Sequence, residues 1–108
     1  MVDAQSADKL SIEGALTIRT AATVVQELQA RLQQHRVIEI DLSRATELDI
    51  SGIQVILSAR ATAVAGDKTL IVAQPLAPAA HAALLQGGFL HVAGETDSRH
   101  SFWLGGDA

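Results

Sequence analysis

Cysteine is absent from the chain, which excludes disulfides and thiolate chemistry and fits a reducing compartment. Aromatic side chains are scarce, at 3% of residues against 48% hydrophobic residues overall, so the core has to be built from Leu, Ile, Val and Ala. Such a core suits helices packed on a buried sheet. Positive charge is sparse as well: 8 Lys and Arg against 12 Asp and Glu leave a net charge of −4 with no basic cluster. That balance argues against nucleic acid, and against an anionic membrane surface, as the main partner. No stretch approaches the roughly 18–20 uninterrupted apolar residues that a membrane span requires. Met1 to Lys9 carries Asp3 and Asp8 and lacks the apolar region of a signal peptide, so a cytoplasmic location is expected. His35, His81, His91 and His100 form no i, i+4 pair, so neither a metal nor another cofactor is expected.

What is present reads as one domain over residues 1–108, with a core spanning about residues 9–92 and a C-terminal tail over 93–108. Leu10 and Ile12, then Leu16 and Ile18, alternate with polar residues around Gly14, which predicts two short strands in a hairpin. Thr20 is placed to cap a helix over Ala21–Gln34, whose Ala21, Val24, Val25, Leu28 and Leu32 fall on one face of a 3.6-residue period. Val37–Leu42 is a β-branched strand, and the polar segment Ser43 to Glu47 reads as a loop. The run Ile53 to Ala65 has no Pro or Gly and is too long for a buried strand, so a helix is predicted. Ser51, Gln54, Ser58 and Thr62 form its polar stripe, while Arg60 falls inside the apolar arc, where snorkelling to a sheet edge is the simplest account. Thr69–Ala73 predicts a strand buried on both faces. Pro78 suits the first turn of a last helix that Gly87-Gly88 ends. A short strand at Leu90–Val92 can follow, and Trp103 is expected to pack the tail. The order ββαβαβα is an α/β fold with parallel neighbours and an antiparallel hairpin at one edge.

The junction at residues 47–57, ELDISGIQVIL, carries the candidate site. Asp49 is an N-cap whose carboxylate can accept from the N–H of Ser51 or Gly52. Gly52 offers no side chain beside Ser51, which would let a partner approach. Ser51 stands in the first turn, where the helix dipole and free N–H groups favour an added phosphate of about −1.5 to −2 charges. The local fold tolerates that charge, whereas a partner fitted to the unmodified turn would not. The expected docking surface is Asp49, Ile50, Ser51, Gly52, Gln54 and Ser58. A catalytic role for Ser51 is disfavoured, because the nucleophile elbow needs glycine two residues before the serine and Asp49 stands there.

Three segments in this order resemble the STAS family, the domain of anti-sigma-factor antagonists. They are Gly14-Ala15-Leu16-Thr17-Ile18 leading into an amphipathic helix, Ile38-Glu39-Ile40-Asp41-Leu42-Ser43 followed by Asp49-Ile50-Ser51-Gly52, and Leu84-Leu85-Gln86-Gly87-Gly88-Phe89 closing a helix after a Pro-containing loop. The resemblance covers about Leu10 to Leu90. It implies a STAS-type sheet of four to five mixed strands and a non-enzymatic regulatory module that needs no cofactor. It also implies that Ser51 is the target of a dedicated kinase, as the matching serine is in phosphorylated antagonists of the family. Ile50 departs from those antagonists, which usually carry a small residue there. In this the chain is similar to short stand-alone bacterial STAS proteins associated with chemotaxis kinases or with lipid-transport ATPases. The implied partner is therefore a protein: a serine kinase of the anti-sigma-factor kind, a chemotaxis kinase, or a transport ATPase.

Overall fold

In the computed structural model, residues 8–90 and 102–104 are described. The elements are β1 (Asp8–Leu16), α1 (Ala21–Gln34), β2 (Val37–Leu48), α2 (Ile50–Ala65), β3 (Thr69–Val72) and α3 (Pro78–Gln86). Among the described residues the three strands form one parallel sheet in the order β1-β2-β3. Strand and helix alternate as the patterning requires, since parallel neighbours need a crossover between them.

The expected N-terminal hairpin is corrected. Residues 8–16 are one strand, continuously paired with β2, and no antiparallel edge occurs among the described residues. Leu10, Ile12 and Leu16 share its buried face, whereas Ile18, assigned to the second hairpin strand, is 73% exposed in the turn that follows. Gly14 has φ +83°, a conformation that glycine adopts freely, and that irregularity mimics a turn signal in the sequence. It lies where the register with β2 shifts rather than where the chain reverses.

The same irregularity explains a second correction. Ser43 to Glu47 is not a loop but the second half of β2. Ser11 and Glu13 of β1 face Asp41 and Arg44, and Gly14 and Ala15 face Ala45 and Glu47, so β2 carries one extra residue at each of two bulges. Each bulge moves the next inward residue by three instead of two. Leu42, Ala45 and Leu48 are therefore all buried, at a spacing that belongs to no regular strand.

The helices follow their sequence signals more closely. Leu28 and Leu32 of α1 are buried, and Arg31 pins the start of β1 through Asp8 at 2.6 Å, with Glu27 at 3.6 Å on its other side. Thr20 stands at the N-cap of α1, but its side chain makes no cap bond. Its hydroxyl instead closes the preceding turn, accepting from the Thr17 N–H at 3.0 Å and donating to the Ala15 carbonyl at 3.0 Å. Ile53, Ile56, Ala59 and Ala63 of α2 enter the core against Leu70 and Val72 of β3 and the inward residues of β1 and β2. Pro78 opens α3 and Gly87 ends it, with the Phe89 N–H closing back on the Leu84 carbonyl at 2.8 Å.

The tail contributes to the core. Phe102 and Trp103 are fully buried, edge to face at 5.1 Å. The Arg60 guanidinium lies 4.6 Å from the Phe102 ring centroid, and Gln74 donates to the Trp103 carbonyl at 3.1 Å. Arg60 sits in the apolar arc of α2 because an aromatic face receives it there, which replaces snorkelling as the account. Of the strand expected at Leu90–Val92, Leu90 is buried in a bend and the other two positions lie outside the described residues.

Candidate functional site

The parallel order brings the C-terminal ends of β1 and β2 side by side, and the site lies where both strands run out. Leu16 ends β1 and Leu48 ends β2, paired with each other. The Asp49 N–H donates to the Leu16 carbonyl at 3.3 Å, holding the chain beside β1 for one more residue before α2 begins. Asp49 itself is extended and caps α2: its Oδ1 accepts the Gly52 N–H at 2.9 Å. That is one of the two donors expected from the sequence. No acidic side chain occupies the first turn beyond the cap, so the positive end of the helix is met by this one carboxylate.

The second oxygen of Asp49 has a partner that sequence reasoning missed. Oδ2 accepts the N–H of Ile18 at 3.1 Å, across 31 residues of chain. The β1–α1 turn is thereby tied to the first turn of α2. It sets Ile18, 73% exposed, and Ile50, 57% exposed, on either side of one capping residue. With Val64, Leu85 and Leu104 they are the exposed large apolar side chains among the described residues. A signal for Ile18 existed in the sequence: an isolated isoleucine within Thr17-Ile18-Arg19-Thr20, where a turn residue would ordinarily be polar.

Ser51 is half-buried in the first turn of α2, and Gln54 and Ser58 are exposed. Gly52 is different. It is buried, and a Cβ there would lie 2.4 Å from the Leu16 carbonyl oxygen, 2.8 Å from Leu16 Cγ and 2.9 Å from Leu48 Cδ1. The glycine lets α2 start directly against the ends of both strands. Its expected role, space for an approaching partner, is corrected: the open side of this turn is presented by Ile50, Ser51 and Gln54. Ser58 and Thr62, further along the polar stripe, line a shallow cleft beside Val25 and Leu28 of α1. The stripe thus starts at the strand ends and runs into the α1–α2 seam.

A second concavity adjoins the site. Leu48, Asp49, Ile50 and Ile53 face Ala83, Gln86 and Gly87 across a notch of about 290 Å³ between the start of α2 and the end of α3. The α3 residues were not expected at the site, since nothing local in their sequence points to it. No basic residue stands in the last turn of α3, whose Ala83, Leu84 and Leu85 carbonyls are closed instead by the N–H groups of Gly87, Phe89 and Gly88. Among the described residues no group of three or more His, Asp or Glu is arranged to hold a metal ion. None of the described helices is long and apolar enough to cross a membrane. The arrangement offers a hydrogen-bonded, partly apolar surface around a hydroxyl.

Comparison with known proteins agrees with the resemblance read from the motifs. No curated protein matches the chain. The family model described as "Mlab, STAS domain" matches residues 1–94, which include β1 to β3 and α1 to α3. STAS domains are, at a coarse level, protein-interaction and regulatory modules, generally without enzymatic activity and generally with protein partners. A Ser-bearing helix start at the strand ends of a parallel α/β sheet, and a family match over most of the sequence, lead to one conclusion: the chain belongs to the STAS domain family.

Proposed function

We propose that the chain is a non-enzymatic, anti-sigma-factor-antagonist-like binding module that docks a signalling protein through the Ser51 turn and is switched by phosphorylation of Ser51. The observation that carries this reading is Ser51 itself, half-buried in the first turn of a capped helix next to the exposed Ile50 and Ile18. Exposed apolar side chains fixed on hydrogen-bonded turns lose little entropy on binding. A phosphate placed among them would be compatible with the helix terminus but costly to desolvate in an interface. Asp49, Ile50, Ser51, Gln54 and Ser58 supply the contact face, with Gly52 beneath it as packing. The partner is a serine kinase of the anti-sigma-factor kind or a chemotaxis kinase in the cytoplasm. Phosphopeptide mapping of the protein isolated from its native cells tests the switch: phosphate on Ser51 is expected, and phosphate confined to other residues would overturn it.

A second reading is favoured by Ile50. A large apolar residue in place of a small one, 57% exposed beside the serine, suits a permanent interface better than a phospho-acceptor loop. On that reading the chain is a constitutive accessory subunit of a membrane lipid transporter and uses the same face unmodified. Ser51→Asp separates the two: it weakens binding under the first reading, whereas an unphosphorylated protein whose binding survives the change supports the second.

A further inference from the structure

We infer that Asp49 is a strap as well as a cap, and that phosphate on Ser51 releases the strap and frees the Ile18 turn. This rests on the reading of Ser51 as a phosphorylation site and concerns how that site is regulated. The carboxylate of Asp49 spans two elements, Oδ1 on the Gly52 N–H at 2.9 Å and Oδ2 on the Ile18 N–H at 3.1 Å. The ends of the turn over residues 17–20 are held by the Thr20 hydroxyl on the Ala15 carbonyl at 3.0 Å and by the Asp49 N–H on the Leu16 carbonyl at 3.3 Å, and the remaining bonds are within the turn. Thr17 N–H donates to Thr20 Oγ1 at 3.0 Å, Arg19 N–H to Thr17 Oγ1 at 3.4 Å, and Thr20 N–H to the Thr17 carbonyl at 3.0 Å. These bonds give the turn its shape but do not attach its tip to another element. The Ile18 side chain, 73% exposed, does not anchor the tip by burial either. The Asp49 bond therefore sets where Ile18 stands relative to Ile50.

Ser51 lies two residues after Asp49 in the same helical turn. Its phosphate would add about −1.5 to −2 charges beside the carboxylate, and repulsion between the like charges would weaken the hold of Asp49 on its donors. The two Asp49 bonds do not resist that equally. Gly52 is buried, and losing its acceptor leaves a desolvated N–H unpaired. The Ile18 N–H is exposed, so water replaces the carboxylate at little cost. The strap yields before the cap. Ile18 and Ile50 then lose their fixed relation, and the docking face is dismantled in addition to being charged.

Amide hydrogen exchange followed by NMR on the full chain tests this without a partner or a kinase. Three forms are compared: unmodified protein, protein with phosphoserine installed at position 51 during synthesis, and Asp49→Ser. A serine at 49 can still cap α2, but its one oxygen cannot span both donors. Exchange of the Ile18 amide is expected to rise about tenfold or more in both altered forms, with the amides of Ile40 and Val72 unchanged. An Ile18 amide that keeps its unmodified rate in the phosphoserine form overturns the release. One that keeps it in Asp49→Ser overturns the strap. If Asp49→Ser also loosens Ile40 and Val72, the phosphoserine form alone decides by the same criterion. Failure here leaves the docking reading intact, and absence of phosphate from Ser51 in cells would refute the switch without touching the exchange result.

Discussion

Adding one methyl group at Gly52 should damage the protein more than a glycine-to-alanine change in a helix ordinarily does. Ala is favoured over Gly inside a helix by about 0.8–1.0 kcal/mol, so on propensity alone Gly52→Ala would stabilise. The position does not allow it. The new Cβ would lie 2.4 Å from the Leu16 carbonyl oxygen, which is strand backbone and already accepts the Asp49 N–H at 3.3 Å. It would also crowd Leu16 Cγ at 2.8 Å and Leu48 Cδ1 at 2.9 Å, both on buried side chains. Overpacking of this kind costs about 1–3 kcal/mol, and more when backbone has to move. Because the closest clash is with strand backbone, the cost falls at the upper end of that range, and after the propensity gain is subtracted a net loss of about 2 kcal/mol is expected. That is a large part of the roughly 5–15 kcal/mol by which a domain is stable. Urea titration followed by circular dichroism would show it as a lower midpoint at unchanged slope. A variant as stable as the wild type, or more stable, would refute the close seating of α2 on the strand ends and the corrected role of Gly52.

Three further outcomes follow from the packing and the ionic contacts. Ile56→Ala and Leu28→Ala, at residues no more than 2% exposed, should each cost about 2–5 kcal/mol, while Gln54→Ala and Thr62→Ala stay within about 0.5 kcal/mol; urea midpoints of the four variants decide it. Phe102→Ala should cost about 3–5 kcal/mol, because the ring is fully buried and receives Arg60 at 4.6 Å; a loss below about 1 kcal/mol would show that the tail does not belong to the core. The Ser43 side chain and backbone N–H hold the Asp41 carboxyl below its ordinary value, with Lys9 adding to the effect. Asp41 therefore contributes stability that is present above its unfolded pKa of about 3.9 and is lost as pH falls through the lower folded value. Ser43→Ala keeps the backbone N–H on Asp41 and removes the hydroxyl, so it should move the Asp41 titration upward in an NMR pH series and shrink the stability difference between pH 6 and pH 3; an unmoved titration would contradict the part assigned to the Ser43 side chain.

Much of the fold was legible because its signals are local. The period of α1, the Asp49 cap, Pro78 at the start of α3 and glycine at its end each act within a few residues, and each element begins or ends where those residues direct. What failed to read was non-local. Gly14 looks like a turn to its neighbours, and only pairing with β2 reveals a strand that continues through it. Ser43 to Glu47 lacks the alternation of a strand because two bulges reset it, and a bulge is defined by the partner strand. Arg60 reads locally as a snorkelling side chain, and only the fold brings Phe102, 42 residues later, to receive it. The candidate site divides in the same way. Asp49, Ile50 and Ser51 could be found because a cap and a first turn are contiguous. Ile18, held by the far oxygen of Asp49, and the α3 wall of the notch reach the site only through the folding of the chain.

Whether the Ser51 turn is the docking face and phosphate its switch is decided by a quantitative capture from lysate of the native cells. The immobilised chain is used unmodified, with phosphoserine at position 51, and as Ser51→Ala, and the retained proteins are measured by mass spectrometry. A signalling protein held by the unmodified and Ser51→Ala forms, and lost about tenfold or more from the phosphoserine form, is the predicted result, corresponding to at least about 1.4 kcal/mol of binding free energy. The same proteins retained in equal amounts by all three forms would contradict it and remove the switch from Ser51.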